Sequence, residues 1–266
     1  MTISFIGTNG LAYSPGNAQA LGQRSDQQDS FGFSDPTDAD FMSHGGLLAV
    51  VADGMGGMAH GAQASRIAVQ NFIESYAAKD RAEPIGQALR RAIEAADRAV
   101  FDFAASLGLQ KDVGSTLVAA AFAPDGLHWI SVGDSAIYLY RRPELTMLNH
   151  PHTLAARLQQ TVERGEISAD AARIDPDRDA LTSYVGSGGL IEVDACVQPM
   201  PLNQGDIVTL CTDGLFRAIG REEIGPCIDG SAEGQDACDR LLEQALARNL
   251  PHQDNITVLC VNVARA

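Results

Sequence analysis

The stretch that most constrains the fold of this chain is residues 47–57, LLAVVADGMGG. It begins as a run of small and β-branched apolar residues, which is typical of a buried strand. It then ends in a carboxylate, Asp53, followed by three glycines within four positions. A carboxylate there is costly unless something pairs with its charge, and glycines let backbone carbonyls approach a ligand closely. A bound cation explains both features, but a strand and a Gly-rich turn, with Asp53 capping the next helix, explains them equally well.

An aspartate at the end of an apolar strand recurs along the chain. Two more follow such a strand and one precedes it, namely Asp134, Asp213 and Asp254. Converging carboxylates repel each other and raise each other's pKa unless a cation neutralises them. A ligand set made only of oxygen favours a hard ion, which means Mg²⁺, Mn²⁺ or Ca²⁺. The recurrence therefore favours a cation site built from strand ends.

Six short motifs show which family the chain resembles. It is similar to the PP2C-type protein phosphatases, also called the PPM family of metal-dependent serine/threonine phosphatases, in their bacterial branch. Each motif alone is weak because Asp-Gly pairs are common, but six in the correct order are specific. The resemblance covers about residues 22–263, and the motifs are RSDQQD at 24–29, DGMGG at 53–57, GSTL at 114–117, VGDS at 132–135, CTDGL at 211–215 and DNIT at 254–257.

The resemblance implies a set of metal-binding residues. Asp53 matches the carboxylate that bridges two metal ions, and the backbone carbonyl of Gly54 would bind the second of them. Asp213 and Asp254 would complete the first site. Asp134 matches the residue that forms a third and weaker site together with Asp213. The expected cofactor is therefore Mn²⁺ or Mg²⁺, with two core ions and a third.

The resemblance also implies the chemistry. Arg24 matches the arginine that binds the substrate phosphate, and Gln28 and Asp29 would contact the metals through water. Two cations that share a bridging water lower its pKa, so that hydroxide attacks phosphorus directly and in line. Catalysis is thereby assigned to Arg24, Asp29 and Asp53, with no protein nucleophile. The implied activity is hydrolysis of phosphoserine and phosphothreonine in proteins that a bacterial serine/threonine kinase phosphorylates.

Four residues depart from the family pattern. Gln28 replaces a common glutamate, although an amide can still orient metal-bound water. Met55 replaces the histidine that animal members carry as a general acid, so a metal-bound water or solvent must protonate the leaving group. Ala136 and Pro151 replace an arginine and an aspartate. These last two changes concern a flap beside the active site and substrate recognition, and not the metal centre.

Two other functions fit parts of the pattern. A catalytically weak pseudophosphatase, which acts as a phosphoprotein-binding regulatory module, would be signalled by loss of a core aspartate. A regulatory calcium-binding protein is disfavoured because the sequence has no D-x-[DN]-x-[DN]-G loop with its distal glutamate. The core aspartates are all present, at Asp29, Asp53, Asp134, Asp213 and Asp254.

Charge and composition limit the class of partner. The formal net charge of −15 predicts repulsion from nucleic acid and from anionic membranes. The N-terminus lacks the basic start and apolar core of a signal peptide, so we expect a cytoplasmic location. The cysteines form no C-x-x-C pair, which argues against a zinc site or a disulfide framework. A monomer is the default expectation.

Periodicity predicts the main elements. Helices are expected over residues 58–77, after Pro84 and over residues 233–248. Strands are expected over residues 116–123 and 127–132, joined by a Pro-Asp-Gly turn, and also over 137–140 and 257–263. Ser115 and Thr116 are interpreted as structural residues that bind the backbone near the Asp53 loop.

The remaining segments are harder to assign. Residues 1–23 are interpreted as an edge strand or an irregular lead-in, residues 34–46 as a turn-rich loop, and residues 188–211 as strand-rich. The pattern indicates an α+β fold in a single domain over residues 1–266. The resemblance adds two packed antiparallel sheets with helices on both outer faces, and a mobile flap at about residues 149–182.

Overall fold

The computed structural model of the chain describes residues 5–6 and 10–265. Two antiparallel sheets lie face to face, and helices cover both outer faces, which confirms the predicted fold class. The strands are β1 (Phe5–Ile6), β2 (Leu11–Ala20), β3 (Asp29–Phe33), β4 (Leu47–Met55), β5 (Gly114–Ser115), β6 (Leu117–Ala123), β7 (Gly126–Val132), β8 (Ala136–Arg141), β9 (Glu144–Met147), β10 (Asp194–Ala195), β11 (Ile207–Cys211) and β12 (Ile256–Arg265). The helices are α1 (Ala39–Gly45), α2 (Met58–Ala77), α3 (Ile85–Leu107), α4 (Leu154–Glu163), α5 (Ala169–Ile174), α6 (Asp213–Ile219), α7 (Arg221–Ile228) and α8 (Gly234–Ala247).

The two sheets differ in their strand order. The first sheet has the order β1-β2-β12-β11-β8-β9, and the second has the order β10-β7-β6-β4-β3. The short strand β5 pairs with the end of β4, beyond the point where β6 leaves it. Strands from distant parts of the sequence, such as β2 and β12, therefore become neighbours.

Strand β4 shows why its apolar run is continuous. Leu48, Val50 and Ala52 belong to the core that the second sheet forms with α2 and α3. The alternate residues, among them Leu47 and Val51, belong to the core between the two sheets. Because successive side chains point to opposite faces, a strand covered on both faces must be apolar at every position. The same strand ends at Asp53.

Helices α6, α7 and α8 cover the outer face of the first sheet. Residues of β11 and β12 that point outward, such as Cys211 and Val258, pack against Leu215 of α6 and Leu241 of α8. This contact fixes α6 directly after β11. Asp213, the first residue of α6, is thereby held at the sheet edge.

Several predicted elements are confirmed. The first long helix occupies the predicted span 58–77, and the hairpin of β6 and β7 turns at the predicted Pro-Asp-Gly sequence. The helix predicted after Pro84 is α3, with Pro84 as its N-cap. Strand β12 and helix α8 lie within one or two residues of their predicted bounds.

Two predictions are wrong, and a third is only partly confirmed. Residues 34–46 contain the helix α1, whose N-cap Asp38 accepts a hydrogen bond from the backbone N–H of Phe41 at 3.0 Å. Residues 188–211 contain only the two short strands β10 and β11, because glycines and prolines interrupt ladder pairing there. The lead-in contains the predicted edge strand, β1, but it also contains the ten-residue strand β2, which pairs with β12 along its whole length and lies between β12 and β1.

Within the part of the chain that the structure describes, no helix has both the length and the apolar character needed to cross a bilayer.

Candidate active site

The site begins with two carboxylates that face each other across a strand pair. Asp29 opens β3 and lies directly opposite Asp53 of β4 in the antiparallel register. Residues so placed have Cβ atoms about 4.5–5.5 Å apart, and like charges there are destabilising. Burial, and then the charge of Asp29, hold the pKa of Asp53 well above its ordinary value. A cation or a proton is needed to relieve this pair.

The first sheet adds Asp213, two residues after β11, and Asp254, two residues before the adjacent strand β12. Gly214 makes their approach possible, because a Cβ on this residue would lie 2.0 Å from the backbone oxygen of Asn255. Asp213 is buried, and its Oδ1 atom has no hydrogen-bond partner among the described residues. Burial and the nearby charge of Asp134 raise the pKa of Asp213 to about 7. A buried carboxylate oxygen without a partner suits a metal ligand.

Asp29 is held in place by the first sheet. Its Oδ2 atom accepts hydrogen bonds from the hydroxyls of Thr212 at 2.9 Å and Thr257 at 2.8 Å. Burial is nevertheless the largest influence and raises the pKa of Asp29 to about 6. The two threonines thus connect the sheets at this carboxylate.

Hydroxyl groups hold the backbone around Asp53. The Ser115 hydroxyl donates to the Asp53 carbonyl at 2.9 Å, and the Asp53 N–H donates to Thr116 Oγ1 at 3.0 Å. Thr116 Oγ1 lies 2.7 Å from the Ser135 hydroxyl. These bonds confirm the structural interpretation of Ser115 and Thr116. The alternative role of Asp53 as a helix cap is wrong, since the N-cap of α2 is Gly57 and makes no side-chain capping bond.

Gly54 and Gln28 are joined through their backbones. The Gly54 N–H donates to the Gln28 carbonyl at 3.1 Å, and the Gln28 N–H donates to Asn255 Oδ1 at 2.8 Å. A Cβ on Gly54 would lie 1.9 Å from the carbonyl oxygen of Gly61. Only glycine therefore fits at position 54, where α2 crosses the end of β4.

Arg24 lies beside this group of carboxylates. Its Nη2 atom is 2.8 Å from Asp254 Oδ2, and its side chain is 52% exposed. The guanidinium is therefore close to the site and still open to solvent. This placement suits an arginine that meets an incoming anion.

Asp134 follows β7, and its charge acts on the carboxyl of Asp213. Burial raises the pKa of Asp134, whereas the guanidinium of Arg217 is the strongest opposing influence. Arg217 itself pairs with Asp213, with 2.9 Å between Nη2 and Oδ2. The sequence motifs do not point to Arg217.

The donor atoms fit a pair of hard divalent cations. Carboxylates and a backbone carbonyl supply only oxygen, which Mg²⁺ and Mn²⁺ prefer. Among the described residues, no three His, Cys, Asp or Glu side chains are gathered closely enough to hold an ion as they stand. Carboxylates without a counter-ion repel each other, and Arg24 and Arg217 each pair with one of them. The free Asp213 Oδ1 atom is the clearest sign that a ligand belongs here.

A comparison with known protein families finds a match over most of the chain. A family model described as protein phosphatase 2C matches residues 19–253. The chain belongs to this family. The membership confirms the resemblance inferred from the motifs and, with it, the enzyme class of protein serine/threonine phosphatase. Asp254 lies one residue beyond the matched range, so its assignment rests on the motif and on the structure.

Individual relatives of this protein phosphatase 2C are bacterial. The serine/threonine phosphatase Stp of Listeria monocytogenes is 32% identical over 217 residues, which cover 80% of this chain and 83% of the relative. The structure of the Streptococcus agalactiae serine/threonine phosphatase has a TM-score of 0.80 at 27% identity, covering 94% of this chain and 99% of that one. The catalytic domain of the phosphatase PstP, in complex with two manganese ions, has a TM-score of 0.72 at 27% identity, covering 96% and 99%.

The flap-like segment, at about residues 149–182, is hydrogen-bonded near its start to the turn that carries Asp134. His152 accepts a hydrogen bond from the Gly133 N–H at 3.1 Å and donates its own N–H to the Gly133 carbonyl at 2.9 Å. Asn149 accepts from the Ile137 N–H at 2.8 Å and donates to the Ser135 carbonyl at 2.9 Å. Beyond these anchors, α4 and α5 have no buried residues. The end of the segment is held as well, since the Thr182 N–H donates to the His152 carbonyl at 2.9 Å, and the two helices between lie on the surface.

Sequence reasoning missed several residues that shape the site. Thr212 lies next to the predicted ligand Asp213 and Thr257 lies three residues after Asp254, so their neighbourhood was the available signal. Arg217 is four residues after Asp213 in a helix, a spacing that brings two side chains onto one face. Asn255 lies within one of the six motifs, where the sequence gives it no role, although its side chain links Gln28 to the Leu21 carbonyl.

Proposed function

We propose that this phosphatase hydrolyses phosphoserine and phosphothreonine in proteins and depends on Mn²⁺ or Mg²⁺. The observation that carries the proposal is the meeting of Asp29 and Asp53 across a strand pair beside Asp213 and Asp254. Burial, and then the charges of neighbouring carboxylates, hold the pKa of Asp53 well above its ordinary value and raise that of Asp213 to about 7. The relatives named as serine/threonine phosphatases support the substrate class, and the neighbour with two manganese ions supports the metal.

Two core ions would be held by the residues that the motifs indicate. Asp53 would bridge them, Gly54 would offer its carbonyl to one ion, and Asp213 and Asp254 would bind the other. When bound, the ions supply an activated water as nucleophile and neutralise charge on the phosphoryl oxygens. The free Oδ1 atom of Asp213 supports this assignment. A third ion at Asp134 and Asp213 stays a prediction.

The surrounding residues position the reactants. Asp29 is fixed by two threonine hydroxyls, which suits a carboxylate that orients the attacking water by accepting a hydrogen bond. Gln28 is fixed through its backbone at the same edge. Arg24 presents an exposed guanidinium beside Asp254, and a guanidinium can bind two phosphoryl oxygens at once. The ordinary substrates would be proteins that a serine/threonine kinase phosphorylates.

No observation favours the alternatives. Loss of a core aspartate would signal the pseudophosphatase, but the chain keeps Asp29, Asp53, Asp134, Asp213 and Asp254. The calcium-binding alternative lacks its loop sequence.

Hydrolysis before and after chelation tests the proposal. The protein is chelated exhaustively and then assayed on phosphoserine, phosphothreonine and phosphotyrosine peptides and on p-nitrophenyl phosphate, with Mn²⁺ or Mg²⁺ added back. We expect hydrolysis of the first two peptides and of the aryl phosphate only when the ion is present. Full activity after chelation would contradict the role of the metal. Bound Mn²⁺ without hydrolysis of any substrate would favour the pseudophosphatase.

A further inference from the structure

Strand β3 is the last strand of the second sheet, and one of its two edges is open. The Gln28 carbonyl accepts a hydrogen bond from β4 at 3.1 Å, and the Ser34 N–H donates to β4 at 3.0 Å. Because bonded positions alternate along an antiparallel pair, the backbone groups of Phe31 and Phe33 point away from β4. No backbone group elsewhere in the described part of the chain bonds to them on that side. Both residues thus offer an N–H and a C=O to an added strand.

A cavity of about 380 Å³ borders β3, and we call it the edge groove. Helix α2 supplies one of its walls, and the end of β2 in the first sheet supplies another. Its lining includes Gln19 of β2, Asp29, Ser30 and Phe31 of β3, and Arg66 and Gln70 of α2. The groove therefore brings the open strand edge together with side chains of a long helix.

The edge groove adjoins the candidate active site, because Asp29 belongs to both. The Asp29 N–H donates to Gln27 Oε1 at 3.1 Å, and its carbonyl accepts from Gln19 Nε2 at 3.3 Å. The free backbone groups therefore begin at Phe31, which lies about 7 Å from Asp29 along the strand. An extended peptide with its phosphate at the carboxylates reaches Phe31 within about three of its own residues.

Helix α2 is fixed against β3 at Ser65. The Ser65 hydroxyl donates to the Gln28 carbonyl at 2.6 Å and lies 2.9 Å from the Ser30 hydroxyl. The next residue, Arg66, is exposed, and its guanidinium has no ion pair or hydrogen bond with any described residue. The backbone of Arg66 is thus held beside the site, while its charge is open to a ligand.

Arg66 gives the edge groove a positive charge. The other ionisable residue in the lining is Asp29, whose carboxylate is bonded to Thr212 and Thr257 of the first sheet. The glutamines of the lining are uncharged. An unpaired guanidinium on a protein of net charge −15 is complementary to an acidic side chain of a bound partner.

We propose that the edge groove binds the segment of a phosphoprotein substrate that flanks the phosphorylated residue. The segment adds to β3 as an extended strand, with its main chain bonded to Phe31 and Phe33. An aspartate or glutamate about two to four residues from the phosphorylated residue pairs with Arg66. The inference rests on the proposed function, because it presumes hydrolysis of phosphoserine and phosphothreonine at the adjoining carboxylates. Arg66 is thereby a specificity-determining residue that does not touch the phosphate.

Sets of phosphothreonine peptides test the role of the charge. The Mn²⁺-loaded protein is assayed on peptides that carry glutamate, alanine or lysine at each nearby position before or after the phosphothreonine. On one side we expect kcat/KM to be about fivefold higher with glutamate than with alanine, the size expected of a partly exposed ion pair. Arg66→Gln should remove this preference, and Arg66→Glu should reverse it in favour of lysine. An unchanged preference in Arg66→Gln, or none in the wild type, would overturn the inference.

Arg90→Gln is the matched control. Arg90 is also exposed and without an ion pair to any described residue, but it lies near the start of α3. Its neighbour Arg91 donates to the Ser75 carbonyl at 2.6 Å, so this part of α3 lies beside the C-terminal end of α2, away from Arg66. The variant removes the same charge elsewhere and should keep the preference for glutamate. Loss of that preference would show that net charge governs it and would overturn the inference.

N-methylated peptides test the added strand without any change to the protein. Only every second N–H of a strand points to a given neighbour, so N-methylation of alternate residues should lower kcat/KM at least about tenfold. N-methylation of the residues between them should have a much smaller effect. An equal loss at successive positions, or no loss at any, would overturn the inference. Failure of the wild-type protein to hydrolyse any phosphopeptide would instead overturn the proposed function.

Discussion

Strand β11 has an aspartate near each end, and the surroundings of the two are opposite. Asp206, just before the strand, is 1% exposed. Both its oxygens are bonded, to Arg141 Nε at 2.9 Å, to Arg141 Nη2 at 2.7 Å and to the Asn203 N–H at 2.7 Å. Asp213, two residues after the strand, has one oxygen without a partner and lies among other carboxylates. The first carboxylate is fully satisfied by the fold, whereas the second is not.

The difference shows that the hydrogen bonds of a buried carboxylate distinguish a structural role from a ligand-binding role. A buried carboxylate that serves stability is expected to have its hydrogen bonds and a counter-charge within the protein. Asp206 meets that condition with a bidentate arginine. Asp213 does not meet it, because its Oδ1 atom is buried without a hydrogen-bond partner among the described residues. The free-energy cost of this buried oxygen is removed when a ligand binds. Perturbed acids of this kind gather at functional sites.

The largest expected effect is the loss of activity when a carboxylate of the candidate active site is replaced. Asp213→Asn, and likewise Asp53→Asn, should lower kcat/KM on a phosphothreonine peptide roughly a thousandfold or more, which corresponds to several kcal/mol of activation free energy. Each substitution removes charge that holds a cation near the attacking water. Thermal stability without metal should be unchanged or higher, since a repelling charge is gone. Steady-state kinetics and thermal melts measure the two effects. Turnover at the wild-type level in either variant would refute the ligand assignment.

Arg24→Ala should have the next largest effect. We expect phosphopeptide hydrolysis to weaken by roughly 1.5–3 kcal/mol, the value of one charge-assisted hydrogen bond, while the core ions remain bound. Kinetics together with Mn²⁺ titration separate the two contributions. Arg141→Ala, which removes the arginine at the opposite end of β11, is the matched control and should leave kcat/KM of the folded protein unchanged. An equal loss of metal affinity in Arg24→Ala would make Arg24 a structural residue.

Asp206→Asn should produce the reverse pattern of Asp213→Asn. We expect the free energy of unfolding to fall by about 2 kcal/mol, because Arg141 and the Asn203 N–H lose their charged acceptor. Activity per folded molecule should stay normal. Urea denaturation and active-site titration with Mn²⁺ test this. A loss of turnover without a loss of stability would contradict the structural role of Asp206.

The smallest expected effect is a pH dependence of the metal-free protein. The pKa values of Asp29 and Asp213 are raised from 3.8 to about 6 and about 7. A carboxyl with a raised folded-state pKa stabilises the fold only while protonated, so this stability is complete below about pH 4 and is lost as the pH rises to about 7. We expect the free energy of unfolding to fall by about 1 kcal/mol over this pH range, and Tm to fall by roughly 2–4 °C. The effect is small because Arg24 and Arg217 offset part of the repulsion.

Melting curves in EDTA and in excess Mn²⁺ between pH 5 and pH 8 check this sign. Metal should stabilise the protein more at the higher pH, where the carboxylates are ionised. Asp206→Asn should keep the wild-type trend, while Asp213→Asn should flatten it. A chelated protein that grows more stable as the pH rises would show that these carboxylates are not strained.

The sequence was sufficient where a local pattern carries the information. The apolar run of β4, the span of α2 and the Pro-Asp-Gly turn were predicted because periodicity and turn chemistry are local properties. The order of six motifs also identified the family. By contrast, α1 was missed because a seven-residue helix is too short for a periodic signal. The region 188–211 was misjudged because its apolar residues lie mostly in extended loops.

The sequence by itself predicted which carboxylates would form the candidate site. Asp53, Asp134, Asp213 and Asp254 were indicated by the strands that they follow or precede, and Asp29 by the family resemblance. Only the tertiary structure decided how they meet. The register that sets Asp29 opposite Asp53, the hydroxyls of Thr212 and Thr257 on Asp29, and the guanidinium of Arg217 on Asp213 join residues from separate elements. The charge state of a buried carboxyl depends on burial and on neighbours within a few ångströms. Such neighbours are set by the packing of the two sheets, which no local pattern in the chain contains.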